Sequence, residues 1–168
     1  MPRRIRPDLF VLWPAWIGFP IFGLAVLALG VQASDGTMVA IGLALLALNI
    51  AIVLDHAYFT TLSVEGDALV YRSRFGLHEE RLAVGGIQRI DAKRYPATHG
   101  GALSAPNLVA RGRTDALRVN TKPYRLDELR QLVACLRAMN PSIELDDYWR
   151  AVSEGREPGA EAVARSRW

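Results

Sequence analysis

Two long apolar runs occupy the first third of the chain. The first run, 9–31, contains 23 residues and no charged side chain. As a helix it would measure about 34 Å, which is enough to cross a hydrocarbon core of about 30 Å. The second run, 38–57, carries a single charge near its end, at Asp55. Because a six-residue turn separates the two runs, the pattern predicts a tight antiparallel transmembrane hairpin within residues 9–59.

After residue 59 apolar and polar side chains alternate. Leu62 and Val64 alternate with polar residues, a turn follows at Gly66, and alternation resumes from Leu69 to Phe75. This pattern predicts a β-hairpin with one solvent-facing side. Further strands are predicted at 79–83, 87–93, 108–111 and 116–120. Strands that recur about every ten residues are typical of a small barrel or sandwich.

A helical stripe follows the strands. Leu126, Leu129, Val133 and Leu136 repeat at intervals of three and four residues, which predicts a helix of about 13 residues. The predicted fold is therefore a membrane α-helical hairpin followed by a small, mostly-β domain. We expect a bent antiparallel sheet or barrel that is capped by this C-terminal helix.

Four runs within residues 58–140 resemble the bacterial pleckstrin-homology-like domain. They are YFTTLSV at 58–64, LVYRSRFG at 69–76, IQRI at 87–90 and LRVNTKP at 117–123, which leads into the helix. The resemblance implies two near-orthogonal antiparallel sheets capped by a C-terminal helix, in a domain commonly tethered behind transmembrane helices. It implies roles in scaffolding, complex assembly or lipid contact, and no catalytic motif. The insertion at 95–106 departs from the family pattern, and the sequence leaves open whether it is a binding loop.

The charges set the orientation of the hairpin. Three arginines precede the first span, the connecting turn has no Lys or Arg, and 17 Lys and Arg residues follow the second span. By the positive-inside rule both termini are expected in the cytoplasm, in a multi-pass protein of the bacterial inner membrane. A cleaved signal peptide is disfavoured, because the first run is far longer than an h-region of about 7 to 15 residues. The predicted parts are a basic N-terminus (1–8), the hairpin (9–59), the domain (58–141) and a tail (142–168).

Composition narrows the function classes. Of 168 residues 37 are charged, yet only Asp35 is charged between residues 9 and 54. This split excludes a single soluble globule, a secreted disulfide scaffold and a multidomain enzyme. Cys135 is the single cysteine, and His56, His78 and His99 lack metal-ligand spacing. We therefore predict no catalytic residues, no metal, no cofactor and no small-molecule substrate.

The second span carries a stripe of small residues, Ala40, Ala44, Ala47 and Ala51. We expect this stripe to pack on the first span, where Gly18, Gly23 and Gly30 offer room. Asn49 would then point away from the first span. It would bond a helix of a partner or of a second copy, or else a carbonyl of its own helix or water. Asn49 and the alanines are the predicted intramembrane partner site, and Trp13 and Trp16 are predicted interfacial anchors.

Positive charge is concentrated on the domain. Residues 72–137 contain 13 Lys and Arg against six Asp and Glu. A domain beside the cytoplasmic leaflet can attract anionic phospholipids by about 1 kcal/mol per nearby basic residue. The predicted face comprises Arg72, Arg74, Arg89, Lys93, Arg94, Arg111 and Arg113. The alternative is a solvated surface produced by the same bias that orients the hairpin, and nucleic acid is disfavoured because no aromatic residues interleave with the arginines.

These patterns predict a non-enzymatic accessory, scaffold or assembly protein of a membrane protein complex. It would dock through its hairpin and its domain, or associate with itself. The alternative is an anionic-lipid sensor that uses the basic face. In the tail we expect one short helix, with Trp149 and Trp168 anchored on the domain. The alternative for Trp168, which lies beside Arg165 and Arg167, is contact with the membrane surface.

Overall fold

The computed structural model describes residues 3–8, 10, 13–93 and 106–156. Its helices are α1 (Trp13–Gln32), α2 (Gly36–Leu54), α3 (Leu126–Met139) and α4 (Asp147–Ser153). Its strands are β1 (Arg3–Ile5), β2 (Thr61–Glu65), β3 (Ala68–Ser73), β4 (His78–Ala83), β5 (Arg89–Lys93), β6 (Asn107–Arg111), β7 (Ala116–Asn120) and β8 (Glu144–Leu145). A π-helical turn (Asp55–Phe59) continues α2, and a 3-10 turn (Val84–Gly86) follows β4.

The strands form two four-stranded sheets. The first is antiparallel, in the order β1-β2-β3-β4, and the second has the order β7-β6-β5-β8. In the second sheet β8 runs parallel to β5, whereas the other pairs are antiparallel. The chain is therefore a mixed α/β protein. The strands that alternation predicted in the domain, and the helix that the three- and four-residue spacing predicted, are confirmed to within two residues at each end.

The first strand was not expected. β1 pairs with β2 in the register Arg3↔Val64 and Ile5↔Leu62, so α1 and α2 lie in the chain between two adjacent strands of one sheet. Residues 3–5, which lie in the segment predicted as a basic N-terminus, therefore belong to a sheet of the domain that was predicted to begin at residue 58. Thr61 and Ser63, on the side expected to face solvent, are buried, and Ser63 lies opposite Arg4 of β1.

Helices α1 and α2 pack against each other in antiparallel register. Asp35 caps α2, because its Oδ1 accepts hydrogen bonds from the backbone N–H groups of Thr37 and Met38 at 2.8 and 3.3 Å. The closest approach is at two glycines. A Cβ on Gly30 would lie 2.6 Å from the Val39 nitrogen, and one on Gly42 would lie 2.7 Å from that of Leu27. Glycine alone therefore fits at both positions.

The expected packing of the alanine stripe is wrong. Ala40, Ala44 and Ala47 are exposed, and only Ala51 is half-buried. The face of α2 that meets α1 carries Gly42 and Asn49, the two residues of α2 that are buried. A glycine permits closer backbone contact than an alanine, so Gly42 determines which face packs. On α1, Gly23 and Gly30 are buried against α2 as expected, whereas Gly18 has open space.

The domain core lies between the sheets and α3. α3 contributes a stripe of Leu129, Leu132, Val133 and Leu136. α4 adds Trp149, which is fully buried, and Asp146 caps α4 by accepting from the Trp149 N–H at 2.9 Å. The expected anchoring of Trp149 is confirmed, while Trp168 lies outside the described residues. Because Ile143, Leu145, Tyr148 and Val152 also join the core, the domain extends well past residue 141.

The two apolar helices differ in whether their length is sufficient to cross a membrane. Among the described residues, one continuous helix, Gly36–Phe59, is long and apolar enough to span a bilayer. The apolar helix Ile17–Gln32 is shorter than that requirement.

Candidate functional site

One end of the domain adjoins the two helices, and we call it the helix-pair end. The Asp8 N–H, just before α1, donates to the Pro123 carbonyl at 2.5 Å, and the Phe75 N–H donates to Asp55 Oδ1, at the end of α2, also at 2.5 Å. The turn 73–77 and the segment 121–125 therefore lie at this end. The turns at Gly66 and at 112–115 lie at the other end of the strands, which we call the far end.

The turn 73–77 between β3 and β4 has an unusual backbone. Arg74, Phe75 and Gly76 are consecutive residues in the left-handed region, with φ of 54°, 57° and 78°. Two of them carry a Cβ, so this conformation requires support from outside the turn. Asp55 supplies that support through its bond to the Phe75 N–H.

Asp55 joins three parts of the structure. It stands where α2 passes into the π-helical turn, and its Oδ2 accepts from the Thr60 hydroxyl at 3.4 Å while Oδ1 holds the turn 73–77. Beside it the Phe59 and Phe75 rings are in contact, with centroids 5.4 Å apart. The sequence showed only an acid after an apolar run, so its role as a link between helix and sheet was missed.

Arg72, the first residue of the expected basic face, is engaged in an ion-pair cluster. Its guanidinium contacts Glu65 at 2.5 Å and Glu79 at 2.7 Å, and Arg81 lies 3.7 Å from both carboxylates. The hydrogen bond from Arg72, and then that from Ser63, lowers the pKa of Glu65 to about 2. The charge of Arg72 is therefore balanced within the first sheet.

Arg89 and Arg111 share one carboxylate. Each places its Nε within 2.7 Å of a different oxygen of Asp91, whose side chain is only 11% exposed. The pair Arg89↔Arg111 stands at the far end of the second sheet, and the exposed Arg113 follows it in the turn after β6. Strand order separates Arg89, Arg111 and Arg113, in or beside the second sheet, from Arg74, in the turn 73–77 of the first, so the structure does not bring these predicted basic residues together.

The helix-pair end carries a different set of basic residues. Arg74 is exposed there, and Lys93 ends β5, where burial, followed by the nearby charges of Arg111 and Arg118, lowers its pKa. The exposed residues Arg6, Lys122 and Arg125 also lie at this end, although the sequence did not single them out. Arg125 is within 3.4 Å of Asp127. Arg94, predicted with this group, lies outside the described residues.

Asn49 lies at the interface of α1 and α2. It is 8% exposed, and the register given by the glycine contacts places it opposite Pro20. Proline has no N–H to donate to the carbonyl four residues earlier, so α1 lacks one internal hydrogen bond in the turn before Pro20. The expectation that Asn49 points away from the first helix is therefore wrong. Trp13 and Trp16 lie in the first turn of α1, and their side chains are outside the described residues.

The remaining polar side chains make local contacts. His56 Nδ1 lies 3.0 Å from the Ile52 carbonyl, and His78 lies 3.0 Å from Glu80. Glu79 and Glu80 point to opposite sides of β4, toward Arg72 and His78 respectively. Within the described residues no group of three or more His, Cys, Asp or Glu side chains could hold a metal ion, and His99 is not among those residues.

Comparison with known proteins found no matching family model, no matching curated protein and no matching solved structure.

Proposed function

We propose that this chain is a non-enzymatic accessory or assembly protein of a membrane protein complex in the bacterial inner membrane. In this proposal α1 and α2 form a transmembrane hairpin, and a pleckstrin-homology-like domain lies on the cytoplasmic side with both termini. The observation that carries it is the position of the helix pair between β1 and β2. Adjacent strands of one sheet must lie on one side of a membrane, so the segment between them crosses an even number of times.

The surface of the helix pair supports a membrane location. Thirteen of its large apolar side chains point outward, and each of these is at least 41% exposed. They are Ile17, Phe19, Ile21, Phe22, Leu24, Leu29, Val31, Ile41, Leu43, Leu48, Ile50, Ile52 and Leu54. Soluble monomers rarely expose a continuous apolar patch of more than a few hundred Å². This surface therefore requires lipid or protein around it.

The lengths of the two helices agree with this location. Gly36–Phe59 has 24 residues, or about 36 Å of helix, and α1 has 20 residues, or about 30 Å. The longer helix exceeds a hydrocarbon core of about 30 Å, and the full length of α1 equals it, although the apolar part of α1, Ile17–Gln32, is shorter. The arginine-rich N-terminus and the basic domain lie on the same side, as the positive-inside rule requires.

The two sheets followed by α3 support the resemblance to the pleckstrin-homology-like family. An antiparallel four-stranded sheet precedes a second sheet and a helix that packs on the core. The extension through β8 and α4 is additional to that pattern. In this interpretation the transmembrane hairpin occupies the connection between the first two strands of the domain.

The accessory role rests on the outer face of α2. Because Gly42 and Asn49 face α1, the alanines at 40, 44 and 47 are left on the outside of the pair. A partner helix can approach a row of alanines more closely than a row of leucines. We therefore propose this alanine face, and not Asn49, as the contact with a partner inside the membrane.

A second candidate function is contact with anionic lipid. The exposed residues Arg6, Arg74 and Lys122 lie at the helix-pair end, which would face the leaflet. Each would contribute about 1 kcal/mol next to anionic headgroups. Strong salt dependence of binding to phosphatidylglycerol vesicles would favour this function over the accessory role.

Co-purification tests the accessory role. The tagged full-length chain is extracted from native membranes in mild detergent, and the stoichiometry of bound proteins is measured by mass spectrometry. We expect one membrane partner in fixed ratio, lost in Ala44→Leu and retained in Ala25→Leu, which makes the same change on the exposed side of α1. Recovery of the chain alone, or only with itself, would contradict the role in a complex.

A further inference from the structure

Apolar side chains are exposed at the helix-pair end outside the two long helices. Tyr58 and Phe59 in the π-helical turn are 61% and 42% exposed, and Phe75 and Leu77 in the turn 73–77 are 45% and 89% exposed. They come from two separate parts of the chain, which the Phe59–Phe75 ring contact joins. In this apolar cluster Tyr58 and Phe59 directly continue helix α2, whose last exposed apolar side chains are Ile52 and Leu54.

The backbone holds the cluster in place. Left-handed conformations at Arg74, Phe75 and Gly76 turn the chain back before β4 begins at His78. The bond from the Phe75 N–H to Asp55 fixes the turn against the helix. Asp55 begins the π-helical turn and Phe59 ends it. The Phe75 backbone therefore contacts the start of that turn, while the Phe75 ring contacts its end.

The length of α2 sets the depth of the cluster. A hydrocarbon core of about 30 Å takes up about 20 helical residues. Counted from the cap Asp35, that distance ends close to Asp55. Phe75, whose N–H is bonded to Asp55, and Leu77 then lie at the boundary between acyl chains and headgroups. Tyr58 in the same cluster is of the residue type that is enriched at this boundary.

We infer that the turn 73–77, together with Tyr58 and Phe59, forms a second membrane contact that lies in the cytoplasmic leaflet beside the hairpin. Phe75 and Leu77 lie at the acyl boundary, and Arg74 is placed among the phosphates. The lipid bilayer is the occupant because this surface continues that of α2 at the same depth. The inference rests on the proposed transmembrane hairpin, and it adds that the domain is held against the membrane at a fixed tilt.

Depth-dependent quenching tests this contact in the full chain. A polarity-sensitive fluorophore is attached to single cysteines made by Leu77→Cys, Ala44→Cys and Met139→Cys in a Cys135→Ala background. Each chain is reconstituted in phosphatidylcholine vesicles with nitroxide-labelled acyl chains. Met139 is the control, because it is also an exposed apolar residue (43% exposed) but is the last residue of α3, away from the helix pair. There Asn140 bonds the carbonyls of Val84 and Ile87 at the far end.

We expect quenching at position 77 to reach at least about half of that at position 44, and quenching at position 139 to stay near that of a soluble label. If position 44 is quenched and position 77 resembles position 139, the contact is disproved and the transmembrane hairpin stands. If position 44 is not quenched either, the hairpin itself is disproved. Because Leu77 is 89% exposed, the label there replaces no core contact.

Discussion

Ile5 and Leu62 are paired on adjacent antiparallel strands, although both long helices lie between them in the sequence. Ile5 is 4% exposed and belongs to the domain core. The N-terminus is therefore a structural part of the domain. This pairing is the reason that the helix pair begins and ends on the same sheet.

The first prediction concerns β1. Ile5→Ala removes a core side chain, and we expect it to lower the free energy of unfolding of the domain by about 2–4 kcal/mol. Denaturant titration of the full chain in detergent, followed by circular dichroism, measures this change in the free energy of unfolding. The control is Arg4→Ala, whose side chain is exposed. Equal stability of both variants would show that β1 does not support the domain.

The second prediction concerns the contact between α1 and α2. Gly42→Ala places a Cβ 2.7 Å from the Leu27 backbone nitrogen, so the helices must separate, whereas Gly36→Ala meets no atom within 4 Å. We expect a lower melting temperature of the helix pair for the first variant and no loss for the second. Thermal unfolding in micelles measures both. No difference between them would contradict the packed face assigned to α2.

The third prediction separates Asn49 from partner binding. Asn49→Leu removes a buried amide from the α1–α2 interface, and we expect it to destabilise the helix pair by about 0.6–2 kcal/mol. The yield of co-purified partner per folded chain should remain that of the unaltered protein, in contrast to Ala44→Leu. Loss of the partner in Asn49→Leu, with unchanged thermal stability, would restore the partner-binding interpretation of this residue.

The fourth prediction concerns pH. The pKa of Glu65 falls from 4.5 to about 2 on folding, mainly because of Arg72. This ion pair therefore stabilises the domain above about pH 4.5, and its contribution is lost as the pH falls toward 2. We expect Glu65→Gln to flatten this acid dependence, as measured by urea unfolding across that window. The effect is modest, about 1 kcal/mol or less, because both partners are partly solvated.

Glu144→Gln is the matched control for that experiment. Glu144 is 76% exposed and lies 3.9 Å from Arg89, so its neutralisation should leave the acid dependence unchanged. If both variants behave alike, the loss of stability in acid does not come from the Glu65–Arg72 pair.

Most strands of the domain, and its helix α3, could be predicted from the local pattern of apolar and polar residues. Alternation at Leu62 and Val64 and the helical stripe from Leu129 to Leu136 are strong signals, because each side chain faces the core at the period of its element. β1 has three residues with a single apolar side chain, too few for any period. β8 has two residues. Both are strands only because a distant segment pairs with them.

The candidate site was less accessible to sequence reasoning. Arg89 and Arg111 look like Arg74 in the sequence, and only the strand order shows that Arg89 and Arg111 share Asp91 in the second sheet while Arg74 lies in a turn of the first. The alanine stripe on α2 was visible, but a single residue, Gly42, decides which face packs on α1. Asp55 and Phe75 are 20 residues apart, so their contact depends on the fold as a whole.

Cysteine accessibility in intact spheroplasts tests the central claim, that a membrane hairpin is inserted between two strands of one cytoplasmic sheet. Thr37→Cys marks the turn between the helices, while Arg4→Cys and Asp67→Cys mark β1 and the far end, all in a Cys135→Ala background. With a membrane-impermeant maleimide we expect position 37 to be labelled from outside, and positions 4 and 67 only after lysis. Labelling of position 4 from outside, or of position 37 only after lysis, would contradict the account.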